Sequence, residues 1–294
     1  MRVQDAALKT VGFVAEYIYS DIGQDSYDHV ATGFFVAIPT VVRPANLFFC
    51  FVTAKHVAEE LAGRQIAFIV NKKGGGVTTL TNRDTRWFFH PTDESVDVAV
   101  VTFNVTPDLD ILATPVSMFL DRAVMERKQI GIGDEVYMPG LFTYAPGTKR
   151  NMPLVRYGTI AMLPDEPIQV GSRFAEVYLI EARSIGGISG SPVFVRRTVY
   201  LPGQDNQGTD TSLHGVSGDY YLLGLAHGHW DIRESEINRP SPTHDRQRGV
   251  NIGIGVVVPA FKILEVINHP ELVRQREDFD RELRDPISPH PDKV

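Results

Sequence analysis

Short apolar runs separated by turn residues dominate the chain: Val11 to Tyr19, Gly33 to Ile38, Leu47 to Thr53, Gln65 to Val70, Val96 to Phe103, Glu135 to Met138, Arg156 to Met162, Glu176 to Ile180, Pro192 to Val195, Tyr220 to Ala226 and Gly253 to Val258. Many short strands at this rhythm predict an all-β barrel or sandwich. Helical periodicity is convincing at two places only. One is His56 to Ala62; the other is Ala260 to Asn268, where Ala260, Ile263, Leu264 and Ile267 form one apolar face directly after Pro259. Leu201 to Asp219 and Asp231 to Arg248 are polar, rich in Gly, Pro and Asp, and read as surface loops. Lys72-Lys73-Gly74-Gly75-Gly76 reads as a hairpin turn. From Pro270 the chain turns strongly charged and ends in Pro286-Ile287-Ser288-Pro289-His290-Pro291, the pattern of a mobile tail or docking segment.

Within this framework one stretch stands apart. Gly186-Gly187-Ile188-Ser189-Gly190-Ser191-Pro192 crowds glycines around a serine, which lets backbone amides turn inward and leaves the Ser189 hydroxyl exposed. Upstream lie Thr53-Ala54-Lys55-His56-Val57 and Ser95-Val96-Asp97-Val98-Ala99-Val100-Val101. A histidine, an aspartate and a serine thus occur in that order, each in an apolar setting.

With Leu222-Leu223-Gly224-Leu225 and Gly253-Ile254-Gly255-Val256-Val257-Val258-Pro259 downstream, these landmarks resemble the chymotrypsin-like (trypsin-fold) serine peptidases over roughly residues 10 to 265. The nearest resemblance is to the bacterial glutamyl endopeptidases and HtrA-type proteases. It implies two antiparallel six-stranded β-barrels followed by a C-terminal helix. The first barrel would span residues 1–121 and carry the His and the Asp. The second, 122–269, would carry the Ser and the terminal helix, leaving 270–294 as the charged tail. Charged Arg122 to Lys128 would be the crossover, because Gly131-Ile132-Gly133-Asp134-Glu135-Val136 resembles the opening of the second barrel.

The chemistry implied is acyl transfer. A serine hydroxyl is weakly nucleophilic at neutral pH, so His56 would take its proton and return it to the leaving amine, while Asp97 fixes the tautomer of His56. Backbone N–H groups of Gly187 and Ser189 would form the oxyanion hole. Taken singly, each residue has a plainer reading: a histidine after a strand is usually structural, an aspartate before Val-Ala-Val often caps a strand, and Gly-x-Ser-Gly is often a turn. Their joint order carries the functional reading. Asp93 is the nearest rival to Asp97, but it sits in a Pro-Thr-Asp-Glu turn.

Several other patterns fail on inspection. Val216-Ser217-Gly218-Asp219 lacks the following Pro and strand. The nucleophile elbow of α/β-hydrolases fails because Ser191, not glycine, stands two residues beyond Ser189. The triglycine after Lys73 has the wrong order for a phosphate loop. His227-Gly228-His229 shows no third metal ligand at recognisable spacing, so no metal and no cofactor is expected.

In the family, substrate pairs as a β-strand with the segment that corresponds here to Ala226, His227, Gly228 and His229, which makes a peptide or protein the expected partner. Arg183 and Ser184 would form the opposite wall of the specificity pocket. Ser184 matches the hydroxyl residue of glutamyl endopeptidases, whereas Ala226 stands where they have a histidine, with His227 adjacent. Acidic side chains are therefore favoured over basic ones before the cut. Ile188 replaces the aspartate that pairs with a new N-terminus in trypsin-like zymogens, which excludes that mode of activation.

Composition sets the outer bounds. At 294 residues with 43% apolar and 22% charged, the chain can bury a substantial core. Its 29 basic and 36 acidic residues give a formal charge of −7, and no basic run with interleaved aromatics occurs, so neither nucleic acid nor an anionic membrane is an expected partner. Lys9, Thr10 and Glu16 interrupt the first twenty residues where a secretory signal would be apolar, so the chain reads as cytoplasmic. A peptidase there needs restraint, through narrow specificity or a regulatory protein partner. Cys50, the only cysteine, lies in Leu47-Phe48-Phe49-Cys50-Phe51-Val52 and reads as a core residue. Two other functions share the same pattern: a catalytically silent peptide-binding module and an esterase.

Overall fold

The computed structural model describes residues 3, 5–19, 26–82, 85–182, 187–197, 220–233 and 249–284, with 82, 229–233 and 249–252 as backbone alone. After a single helical turn, α1 (Asp5–Leu8), the N-terminal half builds β1 (Val11–Ile18), β2 (Ser26–Pro39), β3 (Leu47–Thr53), β4 (Ile66–Asn71), β5 (Val77–Asn82), β6 (Ala99–Thr102) and the short β7 (Thr114–Pro115). These strands form a seven-stranded sheet ordered β5-β4-β1-β2-β3-β6, with β7 running parallel to β2. The predicted hairpin turn joins β4 to β5: Gly74, Gly75 and Gly76 all take positive φ there. The outer edge of β6 is met by Phe88, which exchanges both backbone hydrogen bonds with Val100 at 2.7 and 2.9 Å. Among the described residues the two end strands of this sheet do not pair with each other, so closure into a first barrel is not part of the observed hydrogen bonding.

The C-terminal half does close. β8 (Glu135–Gly140), β9 (Leu154–Met162), β12 (Tyr178–Glu181), β13 (Pro192–Arg196), β14 (Tyr220–Arg233) and β15 (Gly249–Pro259) form a barrel in the order β12-β15-β14-β13-β8-β9. A small hairpin of β10 (Ile168–Val170) and β11 (Arg173–Ala175) stands off it. One apolar core, with Phe34, Phe35, Phe51 and Phe68, fills the N-terminal sheet and reaches Tyr137, Phe194 and Leu222 of the barrel. A second, with Val136, Ile160, Ile180, Val193 and Leu223, fills the barrel itself. Cys50 is fully buried, and burial pushes its thiol pKa up to about 12, as befits a core residue.

The helices correct the sequence reading at two points. The two expected helices are present as α2 (Lys55–Glu60) and α4 (Ala260–Ile267), the latter burying Ala260, Ile263, Val266 and Ile267. The crossover Arg122–Lys128 is itself a helix, α3, capped by Asp121 accepting from the Val124 N–H at its start and by Gln129 in the left-handed region at its end. Pro270–Arg284, in the stretch expected to be a mobile tail or docking segment, is the helix α5. Its charge hides a narrow docking face. Leu272 is fully buried, Phe279 packs edge-on to Phe48 at 5.9 Å, and Arg276 between them donates to the Ile267 carbonyl at 2.8 Å. Glu271 pairs with Arg86, and Asp280 accepts the Val41 N–H at 3.2 Å, so α5 clasps the N-terminal sheet. β14 continues to Arg233, so the first three residues of the loop expected from Asp231 are strand; the rest of that stretch, residues 201–219 and residues 285–294 lie outside the described residues. Among the described residues no helix is long and apolar enough to cross a membrane.

Candidate active site

Antiparallel pairing of β3 with β6 brings Thr53 opposite Ala99. His56 follows Thr53 in the first turn of α2, and Asp97 precedes Ala99, so the register places both at the same end of the sheet. No side chain caps α2 at Ala54. Asp97 does that work from across the sheet: its Oδ1 accepts the His56 backbone N–H at 2.8 Å, satisfying one of the orphan donors of the helix. Its Oδ2 lies 2.8 Å from His56 Nδ1. An ionised carboxylate only accepts, so the His56 proton sits on Nδ1 and Nε2 is left as the basic nitrogen. The rival Asp93 instead closes its own turn, accepting from the Ser95 N–H at 2.9 Å and from the Ser95 hydroxyl at 2.6 Å.

A second imidazole shares Asp97. His227 Nδ1 also meets Asp97 Oδ2, and the rings of His56 and His227 stand edge to face with centroids 5.3 Å apart. A bulge explains this placement. Between β14 and β15 the register steps from Ala226↔Val257 to Gly228↔Val256, leaving His227 as the extra residue whose side chain is re-aimed. The His227 ring, expected at the specificity pocket, is turned to Asp97.

Electrostatics follow from this sharing. Burial works to raise the Asp97 pKa, but the hydrogen bonds from His227 and His56 outweigh it and hold the carboxyl well below the usual carboxylate range. For His56 burial works downward, while the hydrogen bond and charge of Asp97, helped by Glu60 and Glu59, prevail and leave its pKa raised. His56, Asp97 and His227 each bring one possible ligand atom within 4.8 Å of the others, a donor set that could hold a divalent cation. This set joins His227 to two residues remote in sequence; the side chain of His229, its partner in the sequence reading, lies outside the described residues.

Ser189 sits on the loop between β12 and β13. Gly190 takes φ +83°, and a Cβ there would lie 2.1 Å from the Thr32 carbonyl oxygen and 2.3 Å from Thr53 Oγ1, so the loop touches the N-terminal sheet where only glycine fits. Gly187 takes φ +98°. Ser189 Oγ donates to the His227 carbonyl at 3.2 Å and makes no hydrogen bond to His56. Ala226 is committed to the barrel, its N–H donating to Ser191 O and its carbonyl accepting from Gly190 N–H, each at 2.8 Å. β13 pairs with β14 only as far as Pro192↔Leu225. Among the described residues, His227 and Gly228 therefore lie on a strand paired on one side alone, by β15. Arg183 and Ser184 lie outside the described residues, and of His229 only the backbone is described.

A cavity of about 210 Å³ adjoins the cluster, lined by His56, Asp97 and His227 together with Glu59, Glu94 and Arg173. A larger one, about 1020 Å³, lies over β8 and β9 between Glu135, Arg156, Tyr157 and Glu181 and includes none of the clustered residues.

No protein-family model and no curated protein matches the sequence. Among solved structures, the apo MamO protease domain from Magnetospirillum magneticum is similar at 17% identity, covering 88% of this chain and 96% of that one with a TM-score of 0.49.

Proposed function

We propose that the chain is a serine endopeptidase of the chymotrypsin-like type, with Ser189 as nucleophile, His56 as general base and acid, and Asp97 as the group that orients His56. The carrying observation is the double hold of Asp97 on His56, through the backbone N–H and through Nδ1, beside a serine framed by positive-φ glycines.

In the resting state the Ser189 hydroxyl is parked on the His227 carbonyl. A substrate strand adding to the side of β14 that no described strand pairs at His227 would offer its own N–H to that carbonyl and release the hydroxyl toward His56 Nε2. Catalytic hydrogen bonds commonly tighten only when substrate is bound. His56 then accepts the Ser189 proton as Oγ attacks the peptide carbonyl, and the oxyanion meets the N–H groups of Gly187 and Ser189. Collapse expels the amine, which takes the proton from His56, and leaves an acyl-enzyme. Water activated by His56 hydrolyses the ester and restores Ser189. None of these steps calls on a metal or cofactor.

With the His227 ring turned away, Arg183, Ser184 and His229 are left to set side-chain preference in this reading, and acidic residues are favoured over basic ones before the cut. Cytoplasmic residence and control by a regulatory protein partner belong to the same proposal. A peptide-library digest read by mass spectrometry tests it. Amide cleavage after Glu or Asp supports the full reading, cleavage dominated by Lys or Arg contradicts the pocket, and turnover of esters without amides favours an esterase. The parked hydroxyl is what a silent binding module would rest on, and that reading predicts no turnover of either.

A further inference from the structure

Thr32 lies in β2 of the N-terminal sheet, opposite Phe13 of β1, and is fully buried. Its hydrogen bonds do not serve its own sheet alone. The Thr32 N–H donates to the Ser189 carbonyl at 3.0 Å, and the Thr32 hydroxyl donates to the Gly187 carbonyl at 2.8 Å. The same hydroxyl accepts the Leu141 N–H at 2.8 Å, just beyond the end of β8. The Thr53 hydroxyl, three residues before His56, donates to the Thr32 carbonyl at 2.7 Å. One residue thus fastens alternate peptides of the nucleophile loop and ties them to the strand that leads to His56.

A planar peptide links the direction of each carbonyl to that of the next N–H. The Ile188 carbonyl accepts from the Ser191 N–H at 2.9 Å, which turns the Ser189 N–H the opposite way, and that N–H donates to no described group. Gly187, at φ +98°, sits in a region where glycine has wide freedom to rotate, so the Gly187–Ile188 peptide, which joins the two oxyanion-hole residues, needs an external hold. The Thr32 hydroxyl is that hold: it has one proton, spent on Gly187, and it is buried where no solvent competes.

Resting on the peptidase reading, we propose that Thr32 is a positioning residue for the oxyanion hole: its hydroxyl fixes the arc Gly187-Ile188-Ser189 so that the amides of 187 and 189 are preorganised for the oxyanion. Donors aimed in advance at the developing charge lose their value when displaced by an ångström. Thr32 touches neither substrate nor His56, so its loss should lower the rate plateau without moving the pH at which His56 titrates.

The test compares Thr32→Val, which keeps shape and removes the hydroxyl, with Thr32→Ser, which keeps the hydroxyl. The rate of covalent capture by a fluorophosphonate is measured across pH, alongside KM and kcat on a cleaved peptide and the thermal melting curve. Expected for Thr32→Val is a fall in kcat and capture rate on the order of 10²-fold, with KM and the pH midpoint near wild type, and recovery in Thr32→Ser. A folded Thr32→Val that reacts at the wild-type plateau, or one whose pH midpoint shifts, overturns the proposal. Thr32→Ala serves if Thr32→Val does not fold; if neither folds while Thr32→Ser does, the hydroxyl is needed for the fold and the proposal is overturned. A wild-type chain that captures no probe overturns the peptidase reading and this inference with it.

Discussion

Asp97 holds His56 twice, accepting the backbone N–H with Oδ1 and the ring Nδ1 with Oδ2, each at 2.8 Å. Backbone and side chain of the same residue are held by one carboxylate, so the group that fixes the imidazole also serves the start of α2. Loss of this carboxylate should reach both tautomer and helix. Asp97→Asn is expected to lower turnover on the order of 10⁴-fold, the scale seen when such an aspartate is neutralised in a triad. Turnover within a few fold of wild type would show that Asp97 does not orient the base.

The raised pKa of His56 fixes the direction of the pH dependence. The base works only when neutral, so the rate rises with pH through the folded-state pKa, and the midpoint should lie above the ordinary histidine value of about 6.5. Stability runs the other way: the His56⁺ contribution is present below about 6.5 and is lost as pH rises through the raised value. A pH profile of kcat/KM on a chemistry-limited substrate checks the rate. A midpoint below about 6, or no midpoint, would contradict this assignment.

His227 draws on the same oxygen of Asp97 as His56. Removing its hydrogen bond in His227→Ala leaves more of the carboxylate charge for His56, so the pH midpoint should move upward relative to wild type. An unmoved or lowered midpoint would mean that the two imidazoles do not compete for Asp97.

How much of this was written in the sequence depends on how local the signal is. His56, Asp97 and Ser189 each carry a short signature in the adjoining residues, and the closed barrel follows from apolar runs that recur at strand spacing. The partnership of His227 with Asp97 was not legible, because it depends on a bulge that places one residue of β14 against none of β15. Thr32 was missed for a similar reason: a threonine in a strand is unremarkable until the loop it fastens arrives from more than a hundred residues away. Helix α5 was hidden by composition. Leu272, Arg276 and Phe279 share a face among so many charges that the stretch reads as solvated chain. Arg183 and Ser184, on which side-chain preference was argued, lie outside the described residues.

Gly190→Ala tests the close approach of the two halves at the nucleophile. Its Cβ would meet the Thr32 carbonyl oxygen at 2.1 Å with φ at +83°, and backbone is what must give way. A destabilisation of roughly 2 kcal/mol or more is expected, with loss of probe capture. An unchanged denaturant midpoint would show that the loop accommodates a side chain.

Leu272→Ala tests α5 as part of the fold. Leu272 is fully buried against the N-terminal core, so its truncation should cost about 2–4 kcal/mol in a denaturant titration. A mobile tail would give no change.

The central claim, that Ser189 is a nucleophile activated by His56 and Asp97, is tested most directly by incubating the chain with a fluorophosphonate probe and locating the adduct by mass spectrometry. The account predicts one adduct on Ser189, absent from Ser189→Ala while that variant melts like the wild type. No adduct on the folded wild-type chain, or equal labelling of Ser189→Ala, would contradict it.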